Sequence, residues 1–324
     1  MTVLEAIQKS ADFLAKKGVE SPRLQIELLL AHLLKLPRMK LYLNFERALT
    51  PAETDALREL VKRRGQREPL QHITGSTWFC GLEITVNRHA LVPRPETELL
   101  AELGWQFLGW EGRRVGDPNS NSGTAARRPS QVDLPTALDF GTGTGCIAIA
   151  LAVKCPTATI TATDVSTDAL AVAKENAARN GVAERVEFLQ GDGFATLKER
   201  EGECPHEPNP ENEDRSRGRS PSRFDLIISN PPYIPSAEIA TLEPEVRDFD
   251  PRGALDGGAD GLNFYRLIAS QAASFLKPDG KVMLEFGDGQ SEAIRRIFEN
   301  EKWIVEAVKE DYSHRARILI VRRV

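Results

Sequence analysis

The chain has 324 residues, 41% of them hydrophobic, and a formal net charge of −5 at neutral pH. A chain of this length and apolar content buries a substantial core and has room for one large domain and one small one. The acidic balance argues against a protein whose main affinity comes from neutralising nucleic-acid phosphates, so we expect no direct nucleic-acid partner.

The sequence shows no targeting or membrane signal. No apolar run reaches roughly 18 residues, and the first residues lack a basic segment followed by an apolar core. We therefore expect a cytoplasmic, monomeric protein without membrane contact. Metal-ligand spacing and a disulfide framework are both absent from the cysteines, and we expect no metal site at Cys80, Cys146, Cys155 and Cys204.

Residues 1–75 carry helical patterns and no strand pattern. Helix-start signals occur at Thr2, Ser21 and Thr50. A glutamate follows three residues after Thr2 and Thr50, and a proline directly follows Ser21 and Thr50. These signals predict a small helical domain over this range.

Residues 76–92 predict a β-hairpin linker, because a turn at Gly81 precedes alternating apolar and polar residues over 82–86. Two prolines then flank Arg94 and fix an extended segment. Such a segment either presents Arg94 and Glu96 to a site or serves as a rigid connection between domains.

The remaining range, 93–324, predicts one α/β domain interrupted by two insertions. Residues 111–133 and 199–223 are rich in glycine, proline, serine and charged side chains and contain few apolar ones. We expect both stretches to be disordered surface insertions outside the fold.

A glycine-rich loop connects the first strand of this domain, which ends at Phe140, to a helix that begins at Cys146. Its glycines allow a ligand to approach the backbone, and the helix N-terminus offers free NH groups to a carboxylate or phosphate. The G-x-G-x-G spacing differs from the dinucleotide fingerprint, which argues against NAD. The loop consists of Gly141, Thr142, Gly143, Thr144 and Gly145.

Further polar groups follow later strands at their carboxyl ends. Asp164 is placed to accept hydrogen bonds from ribose hydroxyls, and Asp192 with Gly193 suits an adenine amine and ring nitrogen. Asn230 ends the fourth strand, and the fifth carries Glu285 toward the same edge. Because the carboxyl ends of parallel strands meet at one edge of a sheet, the pattern predicts a ligand site there.

The fold predicted from these elements is a doubly wound, Rossmann-like α/β sheet of seven strands with an antiparallel terminal pair. A helix over 262–276 and a turn over 277–280 are expected before the fifth strand. The predicted strands cover residues 137–140, 159–163, 186–189, 224–229, 281–286, 303–308 and 318–321.

The sequence Asn230-Pro231-Pro232-Tyr233 follows the apolar run 224–229. Prolines lack an NH and fix φ, so we expect the Asn230 side chain, the Pro231 carbonyl and the Tyr233 ring to face one spot. Two acceptor oxygens and a stacking ring suit a planar group with an NH2. Such a nitrogen is a poor nucleophile, so catalysis must come mainly from positioning and from dipoles. Taken alone, the tetrapeptide also fits a strand that ends in a Pro-Pro loop.

With these residues in hand, the chain resembles the S-adenosylmethionine-dependent methyltransferases and, among them, the release factor N5-glutamine methyltransferases of the HemK/PrmC family. Four segments carry the resemblance: residues 69–75, 91–98, 138–145 and 230–234. It implies a methyltransferase fold and a helical domain over 1–75 that recognises the substrate.

The resemblance also implies roles for the site residues. The loop Gly141 to Gly145 and Asp164 would hold the methionine and ribose parts of S-adenosylmethionine, and Asp192 with Gly193 its adenine. Where some members have an aromatic residue at position 193, this chain has glycine, so a ring would stack on adenine here only if Phe194 supplied it. The catalytic and substrate-binding segment would consist of Asn230, Pro231, Pro232 and Tyr233. It would bind the glutamine amide of a Gly-Gly-Gln loop in a class 1 peptide-chain release factor. Asn230 would also contact the cofactor.

Two other functions remain open on sequence alone. Asn-Pro-Pro-Tyr is shared with methyltransferases that act on the exocyclic amine of adenine or guanine in DNA or RNA, although the acidic balance disfavours them. A non-enzymatic protein that binds a translation factor and has a vestigial cofactor site is the second alternative. The intact segment at Asn230 together with Asp164 argues against it.

Overall fold

The structure, a computed structural model, describes residues 1–114, 134–202 and 223–324. Most of the two expected insertions lies outside the described residues. Their first few residues are not irregular, however, because 111–114 and 199–202 end helices. Within the described ranges, no helix is long and apolar enough to cross a membrane.

Twelve α-helices and nine strands occur in the described residues. The helices are α1 (Val3–Lys16), α2 (Pro22–Leu34), α3 (Arg38–Leu41), α4 (Pro51–Gly65), α5 (Leu70–Thr74), α6 (Pro95–Arg114), α7 (Cys146–Lys154), α8 (Thr167–Arg179), α9 (Phe194–Gly202), α10 (Pro244–Arg247), α11 (Asn263–Gln271) and α12 (Ser291–Asn300). The strands are β1 (Ser76–Phe79), β2 (Leu82–Thr85), β3 (Thr136–Phe140), β4 (Thr159–Asp164), β5 (Val186–Gln190), β6 (Phe224–Ser229), β7 (Leu276–Glu285), β8 (Trp303–Glu310) and β9 (Ala316–Arg323).

The chain divides into two compact units. The first contains the N-terminal helices and also a segment from much later in the sequence, and consists of Met1–Thr77, Val86–Arg88 and Ala240–Asp250. The second contains the larger sheet and consists of Trp78–Thr85, His89–Ile239 and Pro251–Val324.

Helix capping in the first unit follows the sequence signals at two of three positions. Thr2 accepts a hydrogen bond from the backbone of Glu5, whose side chain accepts one in return, and Thr50 forms the same capping box at α4. Ser21 has a left-handed backbone with φ of 47° and makes no side-chain cap. The predicted cap at Ser21 is therefore wrong, although α2 begins at Pro22 as expected.

The second unit contains a seven-stranded sheet with the order β5-β4-β3-β6-β7-β9-β8. The strands from β5 to β7 are parallel, and β9 is antiparallel to both neighbours. This topology confirms the predicted doubly wound sheet and its antiparallel terminal pair. The hairpin β1–β2 forms a separate two-stranded sheet.

The parallel strands are apolar because both faces of the sheet are covered. Leu226, Ile227 and Ile228 of β6 are completely buried, as is Leu138 of β3. Asp164 of β4 and Ser229 of β6 lie at the carboxyl ends of their strands, where the ligand site was expected.

The entry into β7 differs from the sequence prediction. Helix α11 ends at Gln271, and a short 3-10 helix follows it. Residues 277–280, expected to form a turn, lie inside β7 as an irregularity: Leu276 pairs with Phe224, and the regular register resumes only where Lys281 pairs with Leu226. The Pro-Asp-Gly sequence thus produces a bulge that strand pairing continues across.

Candidate active site

A cavity of about 300 Å³ lies in the second unit at the carboxyl ends of the parallel strands. Most of the site residues predicted from sequence line it. They are Gly141, Thr142, Gly143, Thr144, Asp164, Asp192, Gly193, Asn230, Pro231 and Pro232. Two predicted residues, Gly145 and Tyr233, are not among the described residues that line it.

The buried side chain of Asp139 holds the glycine loop 141–145 in place. Asp139 Oδ2 accepts hydrogen bonds from Thr142 Oγ1 at 2.6 Å and from the backbone of Ala148 at 3.1 Å, so one carboxyl oxygen joins the loop to α7. Asp139 is fully buried, and burial raises its pKa to about 7. Its role in the structure is to shape the loop.

Gly145 serves helix packing. Its φ is 80°, and a Cβ there would lie 3.0 Å from the Ala173 side chain of α8. The residue caps α7 and allows that helix to approach α8 closely. Its position outside the cavity lining separates it from the rest of the loop.

Asp164, at the end of β4, is oriented by the backbone. Its Oδ2 accepts a hydrogen bond from Gly143 at 2.8 Å, and its Oδ1 accepts one from Ser166 at 2.9 Å. A carboxylate has about four acceptor positions, so about two remain for ligand hydroxyls. The geometry suits the ribose contact expected from sequence.

The turn after β5 excludes an aromatic side chain at position 193. Gly193 has φ of 59°, and a Cβ there would lie 2.6 Å from the ring of Phe140. Phe194 is 1% exposed and stacks on Phe275 with ring centroids 5.1 Å apart. Phe194 therefore does not supply a ring for adenine, because its own ring is part of the core. Phe140 and Phe264 are the phenylalanines among the described residues that line the cavity.

Asn230 and Pro231 come together in the cavity, whereas the Tyr233 ring packs against the core of the sheet. Asn230 Nδ2 donates a hydrogen bond to Thr97 Oγ1 at 3.1 Å. Burial is the main cause that raises the pKa of Tyr233. Tyr233 thus supports the Asn-Pro-Pro-Tyr segment from its core side. The two acceptor oxygens proposed from sequence belong to Asn230 and Pro231.

A second loop, which contains Gly257 and Gly261, packs against the Asn-Pro-Pro-Tyr segment. A Cβ on Gly257 would lie 2.8 Å from the Pro232 carbonyl oxygen, and one on Gly261 would lie 2.3 Å from the Tyr233 carbonyl oxygen. Gln290 Nε2 donates to the same Tyr233 oxygen at 2.9 Å. Backbone packing this close fixes the segment that carries Asn230.

The comparisons with known proteins match both units. Residues 5–75 match the family profile described as PrmC N-terminal domain, and residues 133–318 match a methyltransferase domain. The chain is 40% identical over 297 residues to the release factor glutamine methyltransferase of Geobacter sulfurreducens, covering 92% of this chain and 88% of that protein. The proteins of the same name from Chlorobaculum tepidum and Moorella thermoacetica are 39% and 35% identical over 314 and 329 residues, covering 96% and 100% of this chain and 94% and 99% of theirs.

The chain belongs to the release factor glutamine methyltransferase family. Membership confirms the resemblance based on the four sequence segments. It also makes the protein an S-adenosylmethionine-dependent methyltransferase. A dehydrogenase or another NAD enzyme is excluded by the same finding.

The cavity fits the cofactor of this family. Left-handed glycines at 141 and 143 keep side chains away from the loop surface, which a ligand can therefore approach. Asp164 retains acceptor positions for hydroxyls, and the Phe140 ring supplies an apolar wall. S-adenosylmethionine combines an amino acid, a ribose and an adenine. The open glycine loop, the Asp164 carboxylate and the apolar wall match these three parts in turn.

Sequence analysis missed one residue of the site and gave another no role. Thr97 is 2% exposed, lines the cavity and touches Asn230. Glu285 is 2% exposed, and burial raises its pKa to about 7. The only signal for Thr97 was its place two residues after the proline that follows Arg94, and Arg94 itself lines the cavity.

Proposed function

We propose that the protein transfers the methyl group of S-adenosylmethionine to the side-chain amide nitrogen of the glutamine in the Gly-Gly-Gln loop of class 1 peptide-chain release factors. The observation that carries the proposal is the pair formed by Asn230 and Pro231 in the cavity of a chain that matches the family along nearly its full length. We further propose that residues 1–75 recognise the release factor.

Within this proposal the cavity residues divide into two groups. Thr142, Thr144 and the loop glycines hold the methionine part of the cofactor, Asp164 the ribose, and Asp192 with Gly193 the adenine. Asn230 and Pro231 hold the substrate amide. Pro232 and Tyr233 fix the backbone that presents these two residues.

The chemistry follows from the acceptors that surround the substrate nitrogen. The bound cofactor supplies an electrophilic methyl group on a positively charged sulfur. Asn230 Oδ1 and the Pro231 carbonyl oxygen accept the two amide hydrogens and aim the nitrogen lone pair along the direction of attack. Methyl transfer would form the C–N bond as the C–S bond breaks, and positive charge would move from the cofactor to the amide nitrogen held by Asn230 and Pro231.

The same two oxygens stabilise the charge that develops on nitrogen, because their dipoles are already oriented toward it. The nitrogen loses one proton during or after attack, and this proton is acidic once the nitrogen is cationic. A strong general base is therefore unnecessary in this mechanism.

The proposal is tested by methyl transfer from labelled S-adenosylmethionine to an unmodified release factor. A release factor with glutamine changed to alanine in its Gly-Gly-Gln loop and a nucleic acid serve as parallel substrates. We expect label on the wild-type factor only. Label on nucleic acid alone, with an affinity that falls steeply with salt, would favour an exocyclic-amine methyltransferase instead.

A further inference from the structure

The side-chain amide of Asn230 has two possible orientations, and only one suits the proposed reaction. A side-chain amide has an acceptor oxygen and a nitrogen with two hydrogens to donate. Substrate binding requires the oxygen to face the glutamine NH2. In the structure the nitrogen faces the protein, because Nδ2 donates to Thr97 Oγ1 at 3.1 Å.

Glu285 is the second group beside this amide. Ser229 pairs with Leu284 in the sheet, so Asn230 and Glu285 occupy neighbouring positions at the tips of adjacent parallel strands. The side chains of Thr97 and Asn230 act on the Glu285 carboxyl and lower its pKa, against burial, which raises it, and Glu285 Oε2 is buried with no hydrogen-bond partner. Glu285 is not among the described residues that line the cavity, so its contact with the site passes through these two side chains.

The hydrogen-bond inventory selects one orientation of the amide. Thr97 Oγ1 accepts from Asn230 Nδ2, which leaves the single hydroxyl hydrogen of Thr97 available to the Glu285 carboxylate. The second hydrogen of the Asn230 nitrogen is available to the ionised Glu285 carboxyl, whose Oε2 has no other partner. With Glu285 ionised, the flipped orientation would place the amide oxygen against a carboxylate oxygen, and two acceptors without a hydrogen between them repel each other.

We propose that Glu285 and Thr97 are positioning residues that lock the Asn230 amide with its oxygen directed at the substrate. The inference rests on the proposed function for the identity of the substrate. The orientation itself depends only on contacts within the protein.

Matched substitutions separate positioning from simple stability. Thr97→Val keeps the shape and removes the hydroxyl, whereas Thr97→Ser keeps the hydroxyl. Glu285→Gln keeps the volume and places a donor where an acceptor stood, which permits the flipped amide. We expect Thr97→Val and Glu285→Gln to lower kcat about 10- to 100-fold, because misplaced reacting groups cost this much. Thr97→Ser should restore most of the turnover, and the affinity for S-adenosylhomocysteine should stay within about three-fold in all three variants.

A second measurement reads the amide without any substrate. In the full chain labelled with 15N-asparagine, the side-chain resonances of Asn230 are assigned by their loss in Asn230→Asp. We expect slow hydrogen exchange of these two protons in the wild type and in Thr97→Ser, and fast exchange in Thr97→Val and Glu285→Gln.

The outcomes distinguish the two proposals. If the wild-type protein transfers no label to a release factor, the proposed function fails, and the exchange measurement alone decides the positioning. If Thr97→Val and Thr97→Ser lose activity equally, or if Glu285→Gln keeps both turnover and slow exchange, the positioning network is refuted.

Discussion

Asn230 is the side chain on which the proposed chemistry depends most directly. It lines the cavity beside Pro231, and its nitrogen is already engaged by Thr97, which leaves its oxygen for the substrate. Asn230→Ala removes one of the two oxygens that stabilise charge in the transition state. We expect turnover to fall by roughly 100-fold or more while the cofactor dissociation constant changes only a few-fold.

Turnover is measured by label transfer and cofactor affinity by titration calorimetry. Asn300→Ala, an exposed change at the end of α12, is the control. A loss of cofactor affinity as large as the loss of turnover would contradict the separation of substrate and cofactor groups at this residue.

Asp139 gives a prediction for the pH dependence of stability. Burial raises its pKa from 3.8 to about 7, despite hydrogen bonds from Thr142 and Ala148 that lower it and a nearby Asp164 that adds to the rise. A raised pKa in the folded state means that the stability contribution is complete below pH 4 and is lost as pH rises through 7. Asp139→Asn has no such titration.

We therefore expect the unfolding free energy of the wild type to fall, relative to Asp139→Asn, by roughly 2 to 3 kcal/mol between pH 5 and pH 8. Urea unfolding followed by tryptophan fluorescence measures the difference at each pH. A constant difference across this range would mean that the Asp139 carboxyl is ionised throughout.

At the scale of elements, the turn between β5 and α9 is packed too closely for any side chain at position 193. Gly193 and Gly181 have similar left-handed backbones, with φ of 59° and 69°. A Cβ at Gly193 would meet the Phe140 ring, whereas one at Gly181 would meet no described atom within 4 Å. Gly181→Ala therefore carries the backbone strain alone, about 1 to 2 kcal/mol.

Gly193→Ala carries the same strain and also displaces the Phe140 ring from the cavity wall. We expect it to weaken S-adenosylhomocysteine binding at least about ten-fold, whereas Gly181→Ala leaves that affinity within about two-fold. Titration calorimetry on both variants makes the comparison. Equal affinities in the two variants would show that the position of the Phe140 ring is unimportant for the cofactor.

Local pattern explains which elements could be predicted. The strand run 224–229 coincides with β6, because a buried apolar run bounded by a Pro pair has few alternatives. The turn at 277–280 was predicted wrongly, because Leu276 and Lys281 both pair with β6, and the strand continues between them through a sequence that favours a turn in isolation. The sequence leaves open whether Phe194 reaches the cavity, and only its packing against Phe140 and Phe275 places it in the core.

At the scale of the whole molecule, the first unit is discontinuous in sequence. Ala240–Asp250 belongs with the N-terminal helices although it follows β6 in the chain. Its glutamates hydrogen-bond arginines of α4 and of the residues just after it: Arg64 Nη2 donates to Glu245 at 2.8 Å, and Arg67 Nη2 donates to Glu243 at 2.7 Å. Pairing over such a separation leaves no periodic signal in the sequence.

The Glu245 carboxyl is the centre of this contact. Although burial raises its pKa, hydrogen bonds from Arg67 and Arg64 outweigh that effect, and its pKa is lowered overall. Arg64 is 5% exposed and is also held by Gln25 and by the Glu68 carbonyl oxygen. A guanidinium buried to this extent depends on its carboxylate partner, because an unpaired buried charge is costly.

Glu245→Ala therefore leaves a buried cation without its main partner, and we expect the first unit to lose roughly 2 to 4 kcal/mol of local stability. Asp55→Ala is the matched control, because it also removes a carboxylate from an arginine, but both partners are exposed, at 69% for Asp55 and 68% for Arg58. Exposed pairs contribute roughly 0 to 1 kcal/mol. Hydrogen exchange measures local opening, and amides of residues 57–68 and 240–250 should exchange at least about 30-fold faster in Glu245→Ala alone. Unchanged exchange there would mean that α4 and the later segment are held together by apolar packing, with the arginine pairs adding little.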